Sequence, residues 1–166
     1  MQFSRRTAQL LHEDHQATLT MIESLEDLIA RARRNLPDVS DAATRNTLEH
    51  AATAIEQEIR EHFAFEEDEL FTRLADMGDA DIGDHLREEH KAILPVGEQV
   101  AKLARTALEG GFNDQSWPQF KAQAGELIER MLAHIQKEEM ALLPVLDELL
   151  DPQTDFELSE NYGSDV

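Results

Sequence analysis

One pattern of leucines, histidines and acids occurs twice in this chain of 166 residues. The first copy reads Leu11-His12-Glu13-Asp14-His15, then, after a gap, His62-Phe63-Ala64-Phe65-Glu66-Glu67. The second reads Leu86-Arg87-Glu88-Glu89-His90, then His134-Ile135-Gln136-Lys137-Glu138-Glu139. A duplication of this kind calls for two halves built alike. Histidines and glutamates held in phase with leucines must also face the way the leucines face, toward an interior. The two halves are therefore expected to close on one shared layer.

The spacing within each copy is helical. Alternating β-branched runs are absent, and Ala, Leu, Glu, Gln and Arg dominate between clear breakers. These predict helices over about Thr7–Arg34, Asp41–Asp76, Ile82–Leu108 and Ser116–Leu150. The first ends before Asn35-Leu36-Pro37, with Arg31, Arg33 and Arg34 suited to the negative end of its dipole. Ser40 is the expected cap of the second, and Ser116 with Gln119 stands at capping-box spacing for the fourth. Pro95 and Gly97 are expected to bend the third helix, and Pro144 to kink the fourth. Four long amphipathic helices with short connections predict an all-α, antiparallel, up-down-up-down four-helix bundle over residues 1–150. Residues 151–166, with five acids, no base, Pro152 and Gly163, are expected to form a disordered tail.

The inward stripes follow from steps of three and four. They are Leu11, His15, Thr18, Ile22, Leu25 and Ile29; Leu48, Ala52, Ile55, Ile59, His62, Glu66 and Leu70; Leu86, His90, Ile93, Gly97, Val100 and Ala104; and Phe120, Ala124, Leu127, Met131, His134, Glu138 and Leu142. Counted from the predicted helix ends, the polar members fall at similar heights, so four imidazoles and two carboxylates should meet in one buried layer. Isolated buried carboxylates are costly, and a bound cation removes that cost by taking imidazole nitrogens and carboxylate oxygens as ligands. His-x-x-x-Glu places both side chains on one face, about 40° apart in phase. Four nitrogens and two carboxylates exceed the shell of one tetrahedral zinc and suit two octahedral ions bridged by the glutamates. The metal candidates are thus His15, His62, Glu66, His90, His134 and Glu138. His12 sits at the edge of the same face as His15 and is a possible neighbour of the site. Glu67 and Glu139 turn aside from the stripes, toward the site's flank or the solvated surface. His50, His85 and Glu69 have no matching residue in the other copy and are expected outside the site.

The net charge of −20 argues against nucleic acid and anionic membrane as partners, since both favour a basic face. No apolar run is long enough to cross a bilayer. Ser4-Arg5-Arg6 is not followed by the apolar segment of an export signal, so a cytoplasmic protein is expected. With no cysteine, disulfides, thiolate metal sites, iron–sulfur clusters and thiol nucleophiles are excluded.

The ordered set of His on the first helix, His-x-x-x-Glu on the second, His on the third and His-x-x-x-Glu on the fourth resembles the hemerythrin-like, or HHE cation-binding, family. Leu11-His12-Glu13-Asp14-His15 and Glu138-Glu139-Met140-Ala141-Leu142-Leu143-Pro144 are similar to its strings, and the likeness runs over roughly residues 7–150. The resemblance implies two non-haem iron ions, oxo- or hydroxo-bridged, with the four histidines as terminal ligands and Glu66 and Glu138 as bridging carboxylates. On that reading the chain is expected to bind or reduce a small diatomic or peroxide ligand with an electron donor, as a monomer or homodimer, and the alternative is oxygen or iron binding, storage or sensing without turnover. Oxygen carriers of this family place a further histidine one turn before that of the third helix, where this chain has Leu86. They use an Asp five after the histidine of the fourth helix, where this chain has Glu138 at four. The chain therefore looks closer to four-His, two-Glu members, which include di-iron repair proteins of oxidative and nitrosative stress. Those proteins carry a cysteine-bearing segment, and the absence of cysteine here counts against a repair role. Glu-x-x-His of ferritin-like sites does not occur.

Overall fold

The structure, a computed structural model, describes residues 3–163. Among these residues there is no strand. The helices are α1 (Arg6–Arg31), α2 (residues 42–76), α3 (Ala80–Gly110), α4 (residues 116–149) and α5 (Pro152–Gly163).

Two helix starts differ from expectation, each because a neighbouring side chain reaches the orphan N–H groups first. Asp41 rather than Ser40 caps α2, its carboxylate accepting from Thr44 N and Thr44 Oγ1, while Ser40 donates to Asp38. Ahead of α4, Asn113 Oδ1 accepts from the Ser116 N–H, and Ser116 Oγ accepts from the Asn113 N–H. This reciprocal pair is a capping box three residues earlier than Ser116 and Gln119 would make it. Helix α1 stops at Arg31, so Arg33 and Arg34 lie beyond it.

Three turns within the long helices are π-helical: Ala54–Ile59 and Glu66–Leu70 in α2, and Glu138–Leu142 in α4. In the last two, the carbonyls of Glu66 and Glu138 accept from the N–H five residues on, at Phe71 and Leu143. Each π turn coincides with a four-residue step in the stripe: Ile55 to Ile59, Glu66 to Leu70, and Glu138 to Leu142. A π turn takes up more residues than the 3.6 of an α turn. At Glu66–Leu70 and Glu138–Leu142, where two steps of four follow one another, it cancels the phase drift they would accumulate, and every predicted stripe residue of α2 and α4 is buried. Pro144 follows the third π turn, and α3 runs unbroken through Pro95. On α1 the stripe wanders: Thr18 and Ile29 are half-buried, and Met21 and Leu28 are buried instead.

The chain divides into two compact units. One holds the residues up to Ala17, Glu61–His90 and those from Leu132 on. Its apolar cluster includes Leu11, Phe65, Leu70, Phe71, Leu86, Leu142, Leu146 and Leu158. Gly83 is required there, since a Cβ on it would lie 2.9 Å from Phe71 Cβ. The other holds Thr18–Arg60 and Lys91–Met131. Its buried residues include Met21, Ile22, Leu25, Leu48, Val100 and Leu127, and the rings of Phe112, Trp117 and Phe120 pack together.

The tail expectation fails for residues 152–163, which form α5; residues 164–166 lie outside the described residues. Asp151-Pro152 ends α4 but also starts a helix, because the Asp151 carboxylate accepts from Thr154 N and Pro is favoured in a first turn. Leu158 is fully buried, Tyr162 packs on Phe65, and the Asp155 carboxylate accepts from Arg6 N and Thr7 N at the start of α1. Composition pointed to disorder; two apolar residues one turn apart and one capping acid were enough to dock the segment. No helix among the described residues is long and apolar enough to cross a membrane.

Candidate metal centre

Among the described residues, the buried polar or charged side chains are Thr7, Thr44, His15, His62, Glu66, His90, His134 and Glu138. The last six are the six singled out in the sequence, and all lie in the first unit. Helix α1 brings His15, α2 brings His62 and Glu66, α3 brings His90, and α4 brings His134 and Glu138. The α-helical turn that leads into Glu66, and likewise into Glu138, sets each carboxylate on the same inward face as the histidine four residues earlier, and a π turn begins at each glutamate.

The donor atoms form two groups, one of Glu66, His90, His134 and Glu138 and one of His15, His62 and Glu138. Every imidazole turns Nε2 inward. Glu138 Oε1 lies 3.2 Å from His134 Nε2, 3.5 Å from His15 Nε2 and 3.6 Å from His62 Nε2. Glu66 Oε1 lies 3.3 Å from His90 Nε2 and 3.4 Å from His62 Nε2. His90 Nε2 and His134 Nε2 are 3.2 Å apart. Ligand atoms each about 2.1 Å from one ion, at roughly 90–109° to each other, are about 3.0–3.4 Å apart. Four of these six separations fall at the spacing that a shared ion imposes, and the two from His15 and His62 to Glu138, at 3.5 and 3.6 Å, lie just beyond it.

The chemistry of the layer also fits a cation. His15 Nε2 and both oxygens of Glu66 and of Glu138 are buried and make no hydrogen bond. Five unpaired polar atoms in one place are a large penalty for a native interior. They are also the atoms a metal would satisfy.

Each imidazole is oriented from outside by a carboxylate at Nδ1. His15 meets Glu139 at 2.8 Å, His62 meets Asp14 at 3.0 Å, His90 meets Glu67 at 3.1 Å and His134 meets Glu89 at 2.8 Å. A hydrogen bond at Nδ1 fixes the tautomer, leaves Nε2 as the electron-pair donor and raises its basicity. The duplication extends to these acids: Asp14 precedes His15 as Glu89 precedes His90, and Glu67 and Glu139 follow the buried glutamate. Sequence reasoning missed Asp14 and Glu89. The available signal was the acid-His doublet repeated in both copies.

Electrostatics show the strain of six ionisable groups without a cation. Burial and the charge of Glu138 push Glu66 well above the usual carboxylate range. Burial acts the same way on Glu138, but His134, His15 and His62 outweigh it and hold that carboxyl well below the range. Burial and the neighbouring His134 push His90 down to about 3. Burial opposes the charged form of His62 too, yet Glu66 and Asp14 raise it well above its ordinary value.

Around the layer, His12 Nδ1 reaches both oxygens of Glu139 at 2.8 and 3.0 Å, so His12 joins the flank and not the donor groups. Glu69 enters neither group. His50 is exposed in the second unit. His85 is exposed as expected, and its Nε2 lies 3.3 Å from Lys137 Nζ, which also contacts Glu89. Leu86, where oxygen carriers have a further histidine, joins the apolar cluster with Leu11 and Phe71.

An all-helical chain that gathers four imidazoles and two carboxylates into one buried layer falls in the class of helical metal-binding proteins. The family model of the hemerythrin HHE cation binding domain matches residues 6–146, and the chain belongs to that family. Membership brings with it the binding of metal cations, typically iron. No curated protein matches the chain.

Proposed function

We propose that the chain is a non-haem di-iron protein whose site binds or reduces a small ligand of the class of O2, NO or peroxide, in oxidative or nitrosative stress or in iron handling. The observation that carries this reading is the pair of donor groups that share Glu138, each with two imidazoles. His15 and His62 would hold one iron and His90 and His134 the other, with Glu66 and Glu138 as the carboxylate ligands. Bound there, a pair of irons would supply electrons and open positions for a small ligand. The chain supplies the rest. The outer acids hold each imidazole in its donor tautomer, and Phe63 stacks flat on His90 and keeps water from that face. We take helices α1–α4 as an antiparallel bundle in up-down-up-down order, in a cytoplasmic monomer or homodimer served by an electron donor, with no nucleic-acid or membrane partner.

Anaerobic reconstitution with ferrous iron followed by metal analysis and optical spectroscopy tests the proposal. Two irons per chain and ligand-dependent spectra are expected; a folded preparation that takes up far fewer than two would sink it. One observation favours a second reading, reversible binding, storage or sensing without turnover: among the described residues no buried ionisable side chain exists beyond the six donors to deliver a proton. Stopped-flow mixing of the reduced protein with O2, NO and peroxide separates the readings, because reversible binding leaves no accumulated oxidation.

A further inference from the structure

We infer that the two metal positions are not equivalent. The position of Glu66, His90, His134 and Glu138 takes the first ion and holds it, and the position of His15, His62 and Glu138 takes the second. This rests on the di-metal reading and adds an order of filling to it, set by side chains at which the two copies of the repeat differ.

The inner donors stand closer together at one position than at the other. Around His90 and His134 the contacts are His134 to Glu138 at 3.2 Å, His90 to Glu66 at 3.3 Å and the two Nε2 atoms at 3.2 Å. Around His15 and His62 they are 3.5 and 3.6 Å to Glu138 and 3.4 Å to Glu66. The first position also gathers four donors within mutual reach, and the second gathers three. A site whose donors stand closer to their bound separation loses less freedom and needs less movement on binding.

Flat aromatic stacking falls on the same side, whereas the edge contacts of Phe63 reach both His134 and His62. Phe63 lies on the His90 ring at 3.7 Å between centroids and 6° between planes, and Phe71 stands 5.9 Å away at 29°. The imidazole plane of His90 is therefore held before any ion arrives. The matching residues of the second copy are Ile135 and Leu143, which offer no ring. The outer acids do not separate the positions, since each has one contact at 2.8 Å and one longer. Lys137 beside Glu89 works against a cation at the first position, but its ammonium is half exposed and screened by water. Proximity and packing therefore decide the order.

The metal-free protein titrated anaerobically with cobalt(II), followed by calorimetry and by the cobalt absorption bands, tests this. Two steps of one ion each are expected, separated by at least about tenfold in affinity, equivalent to about 1.4 kcal/mol. His15→Ala and, independently, His62→Ala should keep the tighter step and lose the weaker. His90→Ala should lose the tighter. Phe63→Ile, which puts in the first copy the residue of the second, should narrow the gap several-fold. A single cooperative uptake of two ions by the wild-type chain overturns the order of filling while leaving the di-metal reading intact. So does loss of the tighter step in both His15→Ala and His62→Ala. Failure of the folded wild-type chain to bind cobalt at all overturns the di-metal reading itself.

Discussion

The unit that holds residues 61–90 keeps six ionisable side chains in its interior, and the unit that holds residues 18–60 and 91–131 keeps none. Both are helical and both bury leucines, isoleucines and phenylalanines. In the second unit, charged groups stay on the outside as ion pairs such as Arg105 with Glu56 and Arg60 with Glu98. Its interior asks for nothing but good packing. In the first, the interior leaves five polar atoms unpaired, and its architecture makes sense only with a cation in place. The comparison shows one chain using the same helices for two purposes: a dry core that contributes stability and a wet-chemistry layer that spends it.

The sharpest way to break this comparison is to remove one buried side chain from each unit. Glu138 belongs to both donor groups, so Glu138→Ala should reduce metal content from two ions per chain toward none. Phe120→Ala in the second unit should instead cost about 3–5 kcal/mol of stability while the folded fraction keeps its metal. Chemical denaturation with metal analysis of both variants checks the pair; a Phe120→Ala protein that stays folded but loses its metal would merge the two roles.

Chelation is the next largest effect. Metal at a hundredfold excess over its dissociation constant should stabilise the loaded chain, relative to the stripped one, by about 2.7 kcal/mol for each ion bound. The Glu66→Gln, Glu138→Gln double variant should abolish that difference. Melting curves of both proteins with and without chelator measure it.

A glycine pair gives a smaller contrast of opposite sign. A Cβ at Gly83 meets Phe71 Cβ at 2.9 Å, whereas a Cβ at Gly125 meets nothing within 4 Å. Gly83→Ala should therefore destabilise the first unit by about 1–3 kcal/mol. Gly125→Ala, within α4, should stabilise by up to about 1 kcal/mol. Denaturation midpoints of the two variants would reveal a wrong sign.

The smallest effect is a pH dependence at the start of α1. Main-chain N–H groups of Arg5 and Ser4 donate to Asp147 and hold its carboxyl below the usual aspartate range. A depressed folded value means that the contribution is full above the ordinary aspartate pKa and is lost as pH falls through the folded one. The melting difference between wild type and Asp147→Asn should accordingly be largest near neutrality and shrink as pH drops below about 4. A difference that grew on acidification would contradict the assignment.

Much of the donor layer was legible because a helix writes its facing into residue spacing. His62 and Glu66, or His134 and Glu138, share a face through local geometry alone, and the leucines around them say which face is inward. The stripe of α1 was less legible. Its steps of four and three average an ordinary α turn, so the burial of Met21 and Leu28 beside Ile22 and Leu25 marks a buried face wider than the stripe. The outer acids were less legible still. Glu139 reaches His15 across 124 residues and Glu67 reaches His90 across 23, and no helical period encodes such a contact. Segment 152–163 was misread because a composition average hides Leu158 and Tyr162, whose partners come from elsewhere in the first unit.

By itself, then, the sequence determined an all-helical chain, its duplication and the six side chains that turn inward, since these depend on interactions within a few residues. Only the tertiary structure decided which acids hold each imidazole, where the helices widen into π turns at Glu66 and Glu138, and that α5 docks on α1. Those features depend on which side chains packing brings together, and on buried groups finding partners that lie far away along the chain.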